Sequence, residues 1–204
     1  MKKIIFTAAI LAAMCFSANA QKIKLGVKAG LNISQFTGDV LENNFTPGVN
    51  AGFVAEFKLT NWFSLQPELL YNRQGNKTII NEYYGTEVSH EKYFDKLDYI
   101  SLPVLAKFYI YKGLSIEAGP QIAYLTGAKR KVEYSGYYGD GSLETPVNSE
   151  FEKADIGFVS GIAYDLPMGL FFQARYISGI LDISATPDIM LNNETIAFSA
   201  GYKF

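Results

Sequence analysis

The chain has 204 residues, a formal net charge of −2, one histidine and one cysteine. This length fits one domain, and the mild charge without a basic tract argues against nucleic acid as a partner. Hydrophobic residues make up 49% of the chain and aromatic residues 15%. No stretch is long and apolar enough for a transmembrane helix, so this apolar surface must lie in a core or against lipid.

The N-terminus is typical of a secretory signal peptide. Lys2 and Lys3 form a positive region, and an apolar run follows from Ile4 to Met14. Ala18-Asn19-Ala20 is a small-x-small site, which predicts cleavage between Ala20 and Gln21. We therefore expect residues 1–20 to be removed and residues 21–204 to form the mature domain.

Two alternatives for this segment are less consistent with its residues. A transmembrane anchor needs about 20 apolar residues, and the run is shorter. A lipoprotein signal would modify Cys15, but Met14 stands where such a site needs a small residue. Cleavage removes the only cysteine, together with Lys2 and Lys3, so the net charge changes from −2 to −4 and no disulfide remains.

The mature chain begins with a strict alternation of apolar and other residues. Every second residue from Ile23 to Ile33 is apolar, and none of the residues between them is. A period of two indicates a strand with two chemically different faces. The same pattern predicts eight strands of about ten residues or more, a length that suits tilted membrane strands: Lys22–Ile33, Val49–Leu59, Phe63–Gln74, Leu97–Ile110, Leu114–Thr126, Ala154–Tyr164, Leu170–Ile180 and Thr195–Phe204.

The connections between these strands alternate in length. Tight turns are predicted at Thr60–Trp62, Tyr111–Gly113 and Asp165–Gly169. Short turns at one end and long loops at the other are typical of outer-membrane barrels, whose turns are periplasmic and whose loops are extracellular. The four long polar loops are predicted at Ser34–Gly48, Gly75–Lys96, Gly127–Lys153 and Leu181–Glu194.

Three prolines fall inside predicted strands, namely Pro67, Pro103 and Pro120. A proline within a strand removes a hydrogen bond from the ladder. We therefore expect a bulge or a local break at each of them.

Alternation does not say which face points outward, because a soluble lipocalin-like barrel in the periplasm is apolar inside and a membrane barrel is apolar outside. The loop asymmetry favours the membrane barrel, and so does the polar face, which carries many glycines. The interior of an eight-stranded barrel has room only for side chains, so small inward residues are expected and an open pore is not. Charges on this face must pair in the lumen: Lys24, Lys28, Glu56, Lys58, Glu68, Lys107, Glu117, Asp155, Arg175 and Lys203.

Aromatic residues also favour a membrane barrel, because they cluster near both ends of the strands as two interfacial belts would. Tyr71, Tyr124 and Tyr176 lie near the loop ends, and the turn ends carry Trp62, Phe63, Tyr109, Tyr111, Tyr164, Tyr202 and Phe204. The sequence therefore predicts an all-β fold in the outer membrane. The barrel has eight antiparallel up-and-down strands, four long extracellular loops and short periplasmic turns.

Several segments resemble recurring strands of the PorT-like outer-membrane β-barrel family of Bacteroidetes. They are Leu97–Lys107, Ile116–Pro120, Asp155–Phe158 and Ala174–Tyr176. The resemblance extends over nearly all of the mature chain, and it implies a link to the protein-secretion apparatus of that phylum. The final aromatic residues, Tyr202 and Phe204, resemble the signal that the barrel assembly machinery reads.

Candidate chemistry is sparse. His90, between Ser89 and Glu91, is the only candidate general base for a membrane-embedded hydrolase, but adjacent side chains in an extended segment point apart. We expect a loop histidine and no enzyme. No metal-ligand or phosphate-binding motif is present, so we expect no metal and no cofactor.

The predicted loops are where an interaction is expected. They are rich in tyrosine, which suits an extracellular protein or glycan partner: Tyr83, Tyr84, Tyr93, Tyr134, Tyr137 and Tyr138. Their acids suit weak cation binding or a layer of lipopolysaccharide and cations: Glu42, Asp140, Glu144, Glu150 and Glu152. We therefore predict a structural or surface-interaction protein, in contact with outer-membrane lipid and lipopolysaccharide.

Overall fold

The computed structural model describes residues 22–39, 44–84, 87–135 and 140–204. The predicted signal peptide, Cys15 and the cleavage point between Ala20 and Gln21 lie outside these ranges. Within them, no helix is long and apolar enough to cross a membrane.

The described residues form antiparallel strands and one short 3-10 turn at Asn148–Glu150. The strands are β1 (Lys22–Gly38), β2 (Thr46–Lys58), β3 (Phe63–Tyr84), β4 (Glu87–Tyr111), β5 (Leu114–Ser135), β6 (Gly141–Pro146), β7 (Ala154–Asp165), β8 (Leu170–Gly179) and β9 (Leu191–Lys203).

Eight of these strands close into a ring. Sequential neighbours pair from β1 to β5 and from β7 to β9, β5 pairs with β7, and β9 returns to β1 with Ala200 opposite Ala29. The predicted eight-stranded up-and-down barrel is therefore confirmed. The additional strand, β6, pairs only with the outer end of β5 and takes no part in the closure.

The periplasmic turns are tight, as expected. At Tyr111–Leu114 the two central residues, Lys112 and Gly113, have φ angles of 38° and 91°. Two positive φ angles in a row define a type I′ hairpin turn, whose twist matches that of the flanking strands.

All four predicted loops are too long, because strands extend into each of them: β1 continues to Gly38, β2 begins at Thr46 and β9 begins at Leu191. The error is largest for Gly75–Lys96 and Gly127–Lys153, where the strands continue far beyond the apolar band. β3 and β4 stay paired from Gly75 opposite Lys96 to Tyr84 opposite Glu87. β5 continues alongside β4 to Ser135, and β6 adds to its other edge. We call residues 75–84, 87–96, 127–135 and 141–146 the extracellular sheet. Both of its faces lie outside the hydrocarbon core of the membrane, so its composition is polar and resembles that of a loop.

The three prolines do not shift the register of their strands. Pro67 lies opposite Val104, Pro103 opposite Gln121 and Pro120 opposite Phe158. A local break is nevertheless present at each of them, as expected: the ladder between β2 and β3 is interrupted at Pro67, that between β3 and β4 at Pro103, and that between β4 and β5 at Pro120, with the same register on both sides. The register between β4 and β5 shifts at two other places: from Gly127 opposite Asp98 to Leu125 opposite Tyr99, and between Tyr109 and Tyr111 beside the turn.

The apolar face of every barrel strand points outward. Leu31 is 64% exposed and Phe53 65%, whereas Lys28 and Asn32, on the other face of β1, are buried. A soluble lipocalin-like barrel would have these faces reversed, so that alternative is wrong. Glycine makes room inside: a Cβ on Gly201 would overlap the ring of the inward Phe171.

Candidate functional site

The centre of the lumen is filled by a charge-balanced cluster of two cations and two carboxylates. Arg175 donates from both terminal nitrogens to Glu68 at 2.7 Å, and its Nε donates to Glu117. Lys28 Nζ lies 2.9 Å from Glu68 Oε2. Gln173 accepts from Lys28 and donates to Glu117, which closes the cluster. The bidentate geometry fixes the Arg175 side chain across the barrel.

A second balanced cluster fills the periplasmic half of the lumen. Lys203 Nζ lies 2.5 Å from Glu56 and 2.9 Å from Asp165, and Lys107 Nζ lies 2.6 Å from Asp165. The Tyr109 hydroxyl lies within hydrogen-bonding distance of both Glu56 and Asp165, and its one proton can be donated to either carboxylate. The sequence places Tyr109 in an aromatic belt and Asp165 in a turn, but both point into the lumen. Their role depends on which strands meet across the barrel, and the chain order does not show this.

The remaining predicted lumen charges are not ion-paired in the described structure. Lys24 is exposed and Lys58 half-buried at the periplasmic mouth, where both line an open cavity of about 690 Å³. Asp155 is buried near the extracellular end. Asn193 donates to its carboxylate at 2.9 Å and to the Tyr99 hydroxyl at 3.2 Å.

Between the central cluster and the extracellular end, the lumen is bridged by neutral side chains. Asn50 donates to Asn32 at 2.7 Å, Ser199 donates to Asn50 at 2.8 Å, and Asn72 donates to Ser101 at 2.9 Å. The first two contacts link β9, β2 and β1, and the third links β3 to β4. Asn32 joins the two groups by donating to the backbone oxygen of Arg73 at 3.1 Å.

An apolar cap, which the sequence reading missed, closes the extracellular mouth. Leu97 and Tyr99 of β4 and Leu125 of β5 point inward, and Val147, Phe151 and Ile183 from the connecting segments pack on them. The signal was present in the sequence, because Leu97 and Tyr99 are apolar on the face of β4 that should be polar. The complete cluster is Phe36, Leu97, Tyr99, Ala123, Leu125, Ala128, Val147, Phe151 and Ile183.

An ion-pair relay joins the extracellular sheet to the connection above the cap. Arg130 Nε lies 2.6 Å from Asp95, and its Nη1 lies 2.7 Å from Glu150. Burial raises the pKa of Asp95 despite this cation, and the Asp95 contact raises the pKa of Arg130 despite its burial. These two ion pairs connect the sheet to the segment that follows β6.

The outer part of the extracellular sheet is open. β6 pairs with β5 on one side, and its other edge has no strand beside it among the described residues. Leu143 on β6 is 60% exposed, and Tyr134 on β5 is also exposed. Of the other predicted loop tyrosines, Tyr93 donates to Glu91 at 2.5 Å. The side chains of Tyr83 and Tyr84, and both Tyr137 and Tyr138, lie outside the described structure.

The candidate catalytic and metal residues do not assemble into a site that the structure describes. The backbone of His90 lies opposite Asn81 on β3 and Ser135 on β5, and its side chain lies outside the description. The ranges that the structure describes hold no group of three metal-ligating side chains. Of the loop acids, Glu144 and Glu150 form ion pairs, Asp140 and Glu152 are exposed, and Glu42 is undescribed.

The terminal aromatic residues lie on the outer surface at the periplasmic end. The rings of Tyr202 and Phe204 meet edge to face, with centroids 5.3 Å apart. Phe204 is 75% exposed. Recognition of this pair by the assembly machinery stays a prediction.

Comparison with known proteins identifies the family and the fold. Residues 19–185 match the family model described as outer membrane protein beta-barrel domain. No curated protein matches the chain by sequence. Neisserial surface protein A is similar in structure, with 12% identity and a TM-score of 0.51 over 88% of this chain and 97% of that one. This likeness supports the barrel fold alone.

Two further solved barrels are less similar. Ail, the attachment invasion locus protein of Yersinia pestis, has 15% identity and a TM-score of 0.48 over 89% of this chain and 98% of its own. OprG from Pseudomonas aeruginosa has 10% identity and a TM-score of 0.41 over 90% and 97%.

Proposed function

Because the chain belongs to the outer membrane protein beta-barrel domain family, we propose that it is a non-conducting barrel that interacts with other molecules through its extracellular sheet. The barrel lies in the outer membrane and anchors the extracellular sheet at the cell surface. The activity then resides in the part of the protein that extends beyond the lipid.

The filled lumen supports the non-conducting part of this proposal. Two ion-pair clusters, a layer of amide side chains and an apolar cap follow one another along the barrel axis. The interior of an eight-stranded barrel is just wide enough for side chains to fill it. Ions would have to displace buried salt bridges, which is costly in a water-poor interior.

The single observation that carries the surface role is the outer edge of β6, which has no neighbouring strand in the part of the chain that the structure describes. An unpaired strand edge presents backbone donors and acceptors that another chain can pair with, and soluble proteins usually protect such edges. Here the edge stands beside the exposed Leu143 and Tyr134, which offer apolar contact area. This combination fits a protein partner that adds a strand or packs on the sheet.

Photo-crosslinking in native cells tests the proposal. A photoreactive residue at Leu143 should capture a discrete partner, whereas the same residue at the lipid-facing Ile162 or in the periplasmic turn at Asn61 should not. Capture at Asn61 alone, or no difference between Leu143 and Ile162, would contradict it.

A narrower hypothesis comes from the resemblance to PorT-like barrels of Bacteroidetes. The captured partner would then belong to the protein-secretion apparatus of that phylum, and deletion of this protein would reduce secretion. Normal secretion in the deletion strain would remove this version and leave the broader proposal intact.

The proposed role requires no catalysis. His90→Ala should therefore leave partner capture at Leu143 unchanged. A lipid- or peptide-hydrolysing activity of the purified barrel that disappears in this variant would instead favour a membrane-embedded hydrolase.

A further inference from the structure

The lipid-side face of the extracellular sheet carries a concentration of lysines. Strand register places them in rows across the sheet: Gly75, Lys96 and Lys129 in one row, and Lys77, Phe94 and Lys131 in the next. Lys77 Nζ lies 5.5 Å from the centre of the Phe94 ring. We call Lys77, Lys96, Lys129 and Lys131 the basic platform.

The pairing within the platform is unfavourable for an isolated protein. Lys96 and Lys129 are direct cross-strand partners on the same face, and like charges in that position destabilise a sheet. Gly75, on the other side of Lys96, has no side chain that could offset the charge. Such an arrangement is expected where an external anion completes the site.

The nearby carboxylates only partly balance the lysines. Glu144 lies 3.0 Å from Lys129, and Glu133 lies 2.6 Å from Lys131. The Lys131 contact lowers the pKa of Glu133, with help from Lys92 and Lys77, and the Lys129 contact lowers that of Glu144, with help from Lys96. Each carboxylate thus lies in the field of several cations.

Positively charged side chains outnumber carboxylates on the lipid-side face of the extracellular sheet. The six cations are Arg73, Lys77, Lys92, Lys96, Lys129 and Lys131. Asp98 is paired with Arg73, and Asp140 lines the same small cavity as Lys92 and Glu133. With Glu133 and Glu144, four carboxylates face six cations among the side chains that the structure describes on this face. Within the described structure, Lys77 and Lys96 form no ion pair.

The depth of the platform identifies its environment. Ile100 and Tyr124 lie opposite each other on the outer surface, at the end of the apolar band. Lys96 lies on the same outward face of β4 as Asp98 and Ile100, four residues from Ile100 towards the extracellular end. For a strand tilted by roughly 40° to the membrane normal, this places Lys96 about 10 Å above Ile100. This is the level of the head groups of the outer leaflet.

We propose that the basic platform binds phosphate groups of lipopolysaccharide in the outer leaflet. The lysines point sideways along the bilayer, where phosphorylated glycolipid head groups surround the barrel. Each lysine near an anionic lipid surface contributes about 1 kcal/mol of attraction, which corresponds to roughly a fivefold change in affinity. The bound phosphates would also relieve the repulsion between Lys96 and Lys129.

The test compares two double variants of the full barrel in detergent. Lys96→Gln/Lys129→Gln removes the like-charge pair, and Lys24→Gln/Lys112→Gln removes the same charge at the periplasmic end. Affinity for a rough, phosphorylated lipopolysaccharide is measured by thermophoresis, with a phosphatase-treated sample alongside. A heat-modifiable gel shift confirms that each variant is folded.

The platform variant should bind roughly 25-fold more weakly than the unaltered barrel, and the periplasmic variant within about twofold. Phosphatase-treated lipopolysaccharide should bind the unaltered barrel as weakly as intact material binds the platform variant. The proposal is overturned if the platform variant binds intact lipopolysaccharide as tightly as the unaltered barrel does, or if phosphatase treatment leaves the affinity of the unaltered barrel unchanged. Equally tight binding of soluble polyphosphate would also overturn it, because that would indicate a general polyanion site. If the double variant does not fold, Lys96→Gln alone should show a fivefold loss. Crosslinking at Leu143 does not depend on this result.

Discussion

Arg175 gives the sharpest test of how the barrel is held together. Its guanidinium contacts Glu68 and Glu117, and all three side chains are almost completely buried. Arg175→Met would leave the two carboxylates with Lys28 as their only cation in this cluster. Removing one member of a buried ion pair costs about 3–5 kcal/mol, because the remaining charge is left uncompensated. We expect a loss of this size in the free energy of unfolding.

The measurement is urea unfolding of the barrel in lipid bilayers, followed by the fluorescence of the single tryptophan. Trp62 packs against Phe63 and Phe108, with ring centroids 5.8 and 6.1 Å away, so unfolding changes its surroundings. The matched control is Arg73→Met. The Arg73–Asp98 pair has 44% and 26% exposed side chains, so its loss should cost less than about 1 kcal/mol.

A second substitution tests the charge-balance argument directly. Arg175→Met/Glu117→Gln leaves one cation, Lys28, and one carboxylate, Glu68, in the cluster. This double variant should recover a large part of the stability that Arg175→Met loses. The reasoning is refuted if Arg175→Met costs no more than Arg73→Met, or if the double variant is less stable than the single one.

Three further experiments, with four substitutions, test the remaining layers of the structure. Ala29→Arg, near the middle of the lipid-facing side of β1, should lower the free energy of unfolding in bilayers by about 2–4 kcal/mol. The control, Ile23→Arg at the periplasmic end of the same strand, should lower it by about 1 kcal/mol or less. Equal losses would contradict the assigned membrane depth. Phe151→Ala should cost about 3–5 kcal/mol if the extracellular cap is a packed core, and a cost near zero would show that the cap does not contribute. Phe204→Ser should reduce the amount of folded, heat-modifiable barrel in the outer membrane without changing in vitro stability by more than about 1 kcal/mol, and normal assembly would refute its role as a signal.

The barrel could be predicted from the sequence because its two faces lie in different media. The alternation from Ile23 to Ile33 arises because one face of the strand contacts lipid and the other faces a polar lumen. The extracellular sheet could not be predicted in this way. Neither of its faces meets the hydrocarbon core of the membrane, so the residues from Gly75 to Tyr84 have no strict apolar period and resemble a loop.

The sequence predicted which kinds of residue fill the lumen, but it did not predict which of these residues contact each other. The sequence required that charges such as Lys107 and Lys203 be paired, because lone buried charges are costly. It did not indicate that both would meet Asp165, which follows from how the strands curve around the barrel. The apolar cap was missed because it joins strand residues with Phe151 and Ile183 from two separate connections.

Single-channel recording in planar bilayers tests the central claim most directly. The purified barrel should show no stable conductance step, because ion pairs, amide side chains and the apolar cap fill its lumen. The same should hold for the Lys24→Gln/Lys112→Gln barrel, whose substitutions lie only at the periplasmic mouth. A large, stable and reproducible conductance from the unaltered protein would contradict the account.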